Sequence, residues 1–167
     1  MTNRTYGRVI GCWMFVIVVA LFVTSAASGQ NAPPNSAKAQ QIQALVKKAA
    51  SLINAKGNAA FAEFHKNGTE WRTGDTYLFA NDMKGMQILN AGFPEREGTD
   101  QSSTKDITGK AIFQDFKKVV EAGKGEGWAS YMWPKPGQTQ PSQKWSYLKV
   151  VKIDGKPAIV GAGFYAE

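Results

Sequence analysis

The chain contains 167 residues, of which 43% are hydrophobic and 20% charged, and its formal net charge is +7. This length fits one domain with a substantial hydrophobic core, and the composition argues against wholesale disorder. A single cysteine, Cys12, and a single histidine, His65, argue against a zinc site, an iron–sulfur cluster or a disulfide framework, so we expect neither a metal nor a cofactor.

The N-terminus has the pattern of a secretory signal peptide. Arg4 and Arg8 precede an uncharged apolar run at 9–23, and small residues follow it. This order predicts a signal peptide at 1–29 that is cleaved near 26–29. The alternative is that residues 9–27 remain as a membrane anchor, although they barely reach the roughly 20 residues of a spanning helix. In both cases we expect the rest of the chain outside the cytoplasm, in the periplasm or secreted.

After a polar linker at 30–37, the sequence predicts one domain at 38–167. Apolar residues recur at intervals of three and four from 38 to 56, which predicts an amphipathic helix that ends at Gly57. The apolar stripe of this helix fits two arrangements equally well: pairing with a second copy in a homodimer, or packing on the domain's own sheet. A short second helix is predicted at 58–68.

The rest of the domain alternates between strand and helix patterns. A loop at 91–108 contains Gly and Pro, and a loop of this length is usually functional or mobile. A helix is predicted at 109–122. Strands are predicted from apolar alternation and turn residues at 76–80, 86–91, 127–133, 144–153 and 157–167. The resulting order, α-α-β-β-α-β-β-β, predicts an α+β fold with an antiparallel sheet.

The sequence gives little support for catalysis or nucleic-acid binding. His65 is the only histidine that could serve a nucleophile, and its place beside Lys66 on a short helix fits an exposed residue better. Asp75 and Asp106 keep a secreted hydrolase open as a minor hypothesis, but both occupy turn-like contexts in which Asp hydrogen-bonds locally. The lysines are spread along the chain rather than clustered, which argues against nucleic acid.

Aromatic residues and cations are concentrated together in and around the predicted strands. Such a combination suits a small organic anion, held by Lys or Arg and enclosed by rings. Alternation puts Tyr131 and Trp133 on one face of their strand, and Trp145 and Tyr147 on one face of the next, without indicating which face is core.

Several segments in this order resemble the single Cache domain, a PAS-like extracellular sensor module of bacterial receptors. They are WRTGDTYLFANDMKGMQIL (71–89), GWASYMWPKP (127–136), KWSYLKVV (144–151) and VGAGFY (160–165). The resemblance covers the whole predicted domain. It implies a long N-terminal helix and a five-stranded antiparallel PAS-like sheet with flanking helices. It also implies binding of small carboxylates such as acetate, propionate, pyruvate or lactate.

The resemblance further implies which residues form the site. Lys144 would supply the charge, Tyr131 and Tyr147 hydroxyl donors, and Trp133 a wall, with Arg72 as a second cation. The full implied set is Arg72, Tyr77, Phe79, Tyr131, Trp133, Lys144 and Tyr147. The family often has a His-Pro step after the second strand, where this chain reads LNAGFP (89–94).

Because the sequence stops at Glu167, directly after the last predicted strand, we expect a non-enzymatic, stand-alone sensing module without its own output domain. Its partners would be a small organic anion and a membrane receptor or sensor kinase. The alternative is an interaction protein that has the Cache fold, lacks a functional pocket and acts through a membrane receptor.

Overall fold

The computed structural model describes residues 1, 2, 33 and 36–166. The predicted signal peptide, its alternative as an anchor and the linker therefore lie almost entirely outside the described residues. Within the described part of the chain, no helix is long and apolar enough to cross a membrane.

The first helix, α1 (Ala37–Lys56), follows the predicted amphipathic pattern. The Ser36 side chain caps its N-terminus by accepting a hydrogen bond from the Ala39 amide at 3.2 Å. Gly57 ends it with a φ of +60°, a conformation that glycine adopts without strain. The apolar stripe is buried on β5 and β6 of the domain's own sheet, so it is not free to pair with a second helix. Its buried members are Ala39, Ile42, Val46, Ala49, Ala50 and Ile53.

Two further helices complete the helical part of the domain. A 3-10 turn at Gly57–Ala60 leads into the short α2 (Phe61–Phe64), in the region where a second helix was predicted. The third helix, α3 (Ile112–Ala122), begins three residues later than the pattern predicts and ends at Gly123.

The sheet is antiparallel throughout, with the order β1-β2-β6-β5-β4, and β3 pairs with β2. The predicted α+β fold with an antiparallel sheet is therefore confirmed. One more strand is present than predicted, because β1 is a two-residue strand that is too short to leave an alternating pattern. The strands are β1 (Arg72–Thr73), β2 (Thr76–Asp82), β3 (Gln87–Asn90), β4 (Glu126–Pro134), β5 (Pro141–Ile153) and β6 (Lys156–Tyr165).

The sheet separates two hydrophobic cores. On one face, here called the α1 face, Trp145 and Tyr147 pack in the core that includes helix α1. On the opposite face, the α3 face, Tyr131 packs with helix α3. Alternation along β4 and β5 thus sends Tyr131 and Tyr147 to different cores.

Candidate ligand-binding site

A small cavity lies among the α3 face of the sheet, helix α3 and the loop that connects β3 to α3. Its volume is about 40 Å³, which limits it to a ligand of only a few non-hydrogen atoms. Its walls combine aromatic rings with amide and hydroxyl groups. The lining residues are Tyr77, Phe79, Asn81, Gln87, Asn90, Gln101, Thr104, Ile112, Phe113, Phe116, Tyr131 and Trp133.

The aromatic wall is a continuous series of ring contacts. The Phe116 ring stacks on Phe79, with centroids 5.7 Å apart, and meets Tyr131 edge-on at 5.3 Å. Tyr131 in turn meets Trp133 edge-on at 6.0 Å. Both arrangements are favourable for aromatic pairs. Helix α3 thereby fixes the rings that β2 and β4 present to the cavity.

Lys144 lies next to these aromatic rings, with its Nζ 5.5 Å from the centroid of the Phe79 ring. It is 1% exposed, and in the sheet it pairs with Tyr131 on one side and Tyr165 on the other. Its Nζ lies 3.8 Å from the centroid of the Tyr77 ring and 5.2 Å from that of Tyr165. Gly163 makes room for it, since a Cβ at that position would lie 2.9 Å from Lys144 Cε.

Lys144 has no close acidic partner in the described part of the chain. Among residues 36–166, no carboxylate lies within 4.0 Å of its ammonium group, and the Asp75 carboxylate that acts on it from further away is paired with Lys135 at 3.1 Å. Burial lowers the pKa of Lys144 well below its ordinary value, and the charge of Asp75 only partly opposes this. A buried cation in such a setting is stabilised by an anion.

Two buried tyrosines, Tyr77 and Tyr131, lie in the α3-side core. The Tyr131 hydroxyl is hydrogen-bonded to Ser146 Oγ at 3.0 Å. Burial raises the pKa of Tyr131, and it raises that of Tyr77 with added effects from Tyr165 and Tyr131. Both hydroxyls are therefore protonated at physiological pH and can donate hydrogen bonds.

Polar side chains from β2, β3 and the long loop also line the cavity. Asn81, Gln87 and Asn90 are all buried. From the loop, Thr104 donates to Gln101 Oε1 at 3.0 Å, and Gln101 Nε2 donates to Thr99 Oγ1 at 2.6 Å. We call this set, Asn81, Gln87, Asn90, Gln101 and Thr104, the amide end.

Two sets of contacts hold the loop between β3 and α3 against β4. Arg96 lies across Trp133, with its Cζ 4.5 Å from the ring centroid, and donates to Gln101 Oε1 at 3.4 Å. Asp106 accepts from the backbone N–H of Met132 at 2.9 Å. Burial alone would raise the pKa of Asp106, but its hydrogen bonds with Met132, Thr108 and Lys110 outweigh burial and lower it. Asp106 therefore holds a turn against β4, as its sequence context indicated.

The structure brings together most of the residues that the resemblance implied. Tyr77, Phe79, Tyr131 and Trp133 line the cavity, and Lys144 contacts the ring of Tyr77 without lining the cavity itself.

Tyr147 and Arg72 lie apart from the other residues of the implied set. Tyr147 lies on the α1 face, where its hydroxyl accepts from Gln43 Nε2 at 3.2 Å, and burial raises its pKa to about 12. Residues three apart on a strand point to opposite faces, so Tyr147 and Lys144 lie on different faces of the sheet. Arg72 donates to the His65 carbonyl at 3.4 Å and is not among the lining residues.

Sequence reasoning missed the amide end and Arg96. The length of the loop at 91–108 did indicate a functional segment, and this loop supplies Arg96, Gln101 and Thr104. Asn90 lies within LNAGFP, where the expected His-Pro step is absent, and it contributes a polar group to the lining.

The chain is similar in sequence to part of a chemotaxis protein. The methyl-accepting chemotaxis protein McpP of Pseudomonas putida is 31% identical over 93 residues, which are 56% of this chain and 16% of that protein. The chain thus matches only a small part of that relative's length.

Two solved structures align over most of the domain. One is described as a periplasmic sensor domain of a chemotaxis protein, and the other as the structural basis for carboxylic acid recognition by a Cache chemosensory domain. Each is 28% identical and covers 78% of this chain and 95% of its own, with TM-scores of 0.63 and 0.65 respectively. A family model described as a Cache domain matches residues 37–167. The chain therefore belongs to the Cache domain family of ligand-binding sensory modules.

Proposed function

We propose that this Cache domain binds a small carboxylate in the cavity behind helix α3 and passes its bound state to a partner protein. The observation that carries the proposal is the buried amino group of Lys144. It lies among aromatic rings, and no carboxylate is adjacent to it in the described part of the chain. Burial lowers its pKa, and a ligand carboxylate would supply the negative charge that favours its protonated, cationic form.

The surroundings of the cavity fit this ligand class. Tyr131 offers a hydroxyl donor, Trp133 and Phe116 form apolar walls, and the volume admits only a few non-hydrogen atoms. Lys144 would act through the ring of Tyr77, since charge attracts an anion beyond hydrogen-bonding distance in a weakly polar interior. One 28% identical structure is described as the structural basis for carboxylic acid recognition by a Cache chemosensory domain, which supports the same class.

A thermal-shift panel tests this function. The purified protein is heated with acetate, propionate, pyruvate, lactate and simple amines, in a buffer free of carboxylates. A ligand at a hundred times its dissociation constant should add about 2.7 kcal/mol of stability. We expect a rise in Tm with at least one carboxylate and none with the amines.

Two lysine variants show whether the response depends on the site. Lys144→Met removes the amino group and nearly keeps the length of the side chain. We expect this variant to fold and to lose the rise in Tm with carboxylate. Lys135→Met changes a lysine that is paired with Asp75 outside the cavity lining, and should respond like the wild type. A flat response of the wild type across the panel would refute the proposal and favour the interaction protein without a functional pocket.

We also propose that residues 1–29 direct the domain out of the cytoplasm as a cleaved signal peptide, leaving the linker at 30–37 and the domain at 38–167. The basic, apolar and small-residue regions support this. Sequencing the N-terminus of the exported protein should find Ala27, Ser28 or Gln30 as its first residue. An intact N-terminus in the membrane fraction would instead support the anchor.

For the partner, we propose a membrane receptor or sensor kinase that recognises the liganded domain. A homodimer through α1 would have to use side chains outside the apolar stripe, because the stripe is buried on the sheet. Sedimentation of the purified protein with and without ligand distinguishes a monomer from a dimer.

A further inference from the structure

Gln87 is a buried amide that a strand irregularity places in the cavity. Gln87 and Leu89 are two residues apart and would share a face in a regular strand. The register shifts between Ala80 and Asn81, so that Gln87 pairs with Asn81. As a result Leu89 packs in the α1-side core, while Gln87 lines the cavity on the other face. Bulges of this kind re-aim side chains next to functional sites.

A chain of hydrogen bonds fixes which end of the Gln87 amide is occupied. The backbone N–H of Phe93 donates to Asn90 Oδ1 at 2.9 Å, and a backbone N–H can only donate. The Asn90 amide nitrogen therefore donates in turn, to Gln87 Oε1 at 3.1 Å. The oxygen of Gln87 is thus used, and its NH2 group remains as a donor.

This NH2 group is a donor that the protein leaves unpaired and not fully enclosed. Gln87 is 5% exposed, and among residues 36–166 its Nε2 has no hydrogen-bond partner. Every fully enclosed side-chain nitrogen or oxygen in that part of the chain does have a partner. The Gln87 nitrogen is therefore not fully enclosed, and its residue lines the cavity.

We infer that Gln87 is a specificity-determining residue that donates to a second oxygen of the ligand, so that the domain favours 2-oxo or 2-hydroxy monocarboxylates over plain alkanoates. The inference rests on the proposed function, in which Lys144 and Tyr131 attract the carboxylate. The cavity admits only a small ligand. Such a ligand can contact both Tyr131 and Gln87 only if its second oxygen lies close to the carboxylate. An alkanoate would leave the Gln87 donor unpaired, which is unfavourable in a buried site.

Pyruvate and propionate test this inference, because they have the same carbon chain and differ in the 2-oxo group. Calorimetric titration of the purified protein should give an affinity for pyruvate about tenfold or more above that for propionate. Gln87→Met, which keeps the length and removes the donor, should reduce pyruvate binding to the propionate level. Propionate binding should stay within about twofold.

Gln140→Met, at an exposed position on the loop after β4, is the matched control and should bind both acids like the wild type. Equal affinity of the wild type for the two acids would overturn the inference, as would a Gln87→Met variant that weakens both equally. If neither acid nor any other carboxylate binds the wild type, it is the proposed function that fails. The wild-type comparison alone decides the inference if Gln87→Met does not fold.

Discussion

At the scale of single residues, Lys144 is the unusual feature of this domain, because its amino group is buried among aromatic rings. Its pKa is lowered from an ordinary value of 10.5 mainly by burial. Between the lowered pKa and about 10.5, the unfolded chain binds a proton that the folded protein does not. The free energy of unfolding therefore increases as pH rises through this window.

We predict this increase for the unliganded protein, with a slope of up to about 1.4 kcal/mol per pH unit. Urea unfolding between pH 7 and 10 measures it. Above about pH 10 the trend should reverse, because burial raises the pKa of Tyr77, Tyr131 and Tyr165 in the folded state. Lys144→Met should show a flatter slope below pH 10, and an unchanged slope would mean that other groups cause it.

Alternation in the sequence predicts part of the site at this scale. It correctly put Tyr131 and Trp133 on one face, since β4 is regular and pairs with β5 along its whole length. It could not assign Gln87, because the register shift in the β2–β3 pair is set by tertiary pairing and leaves no signal in the residue pattern. The resemblance placed Lys144 and Tyr147 in one site, whereas the period of two separates them.

At the scale of elements, the two faces of the sheet pack against different helices, and only one of these helices lines the cavity. Helix α1 packs on the face away from the cavity, and α3 contributes Ile112, Phe113 and Phe116 to the lining. Substitutions in α1 should therefore change stability and leave ligand affinity intact, whereas substitutions on the inner face of α3 should change both.

We predict this contrast for Ile53→Ala and Phe116→Ala. Ile53 is fully buried in the α1-side core, and the cavity left by its truncation should cost about 2–5 kcal/mol of unfolding free energy. Its pyruvate affinity, measured by calorimetry at a temperature where it remains folded, should match the wild type. Phe116→Ala should lose a comparable stability and also weaken pyruvate binding, because its ring contacts Phe79 and Tyr131.

Gln40→Ala, on the exposed side of α1, is the control and should stay within about 0.5 kcal/mol of the wild type. A large loss of affinity in Ile53→Ala would show that the two cores are coupled.

The bounds of α1, α3 and the five predicted strands lie within three residues of those observed, since hydrophobic periodicity and Gly stops determine them locally, whereas α2 is shorter than predicted. The loop at 91–108 was predicted only as a segment without helix or strand, because its place over the cavity depends on contacts such as that of Arg96 with Trp133.

At the scale of the whole molecule, the order of helices and strands predicted the α+β class, and the ordered motifs predicted the Cache family. Both predictions rest on patterns within short segments and on the order of those segments along the chain. The volume of the cavity cannot be predicted in this way, because it depends on how rings from β2, β4 and α3 meet across the domain. The location of the domain outside the cytoplasm and its partner remain predictions.

A crystal structure of the protein grown with saturating pyruvate tests the central claim most directly. The account predicts density for the ligand inside the cavity, with its carboxylate hydrogen-bonded to the Tyr131 hydroxyl and on the side of Lys144. It also predicts the 2-oxo group against Gln87. Density instead in the larger groove beside Lys135 and Asp75, with the cavity unchanged, would contradict the claim that this cavity is the binding site.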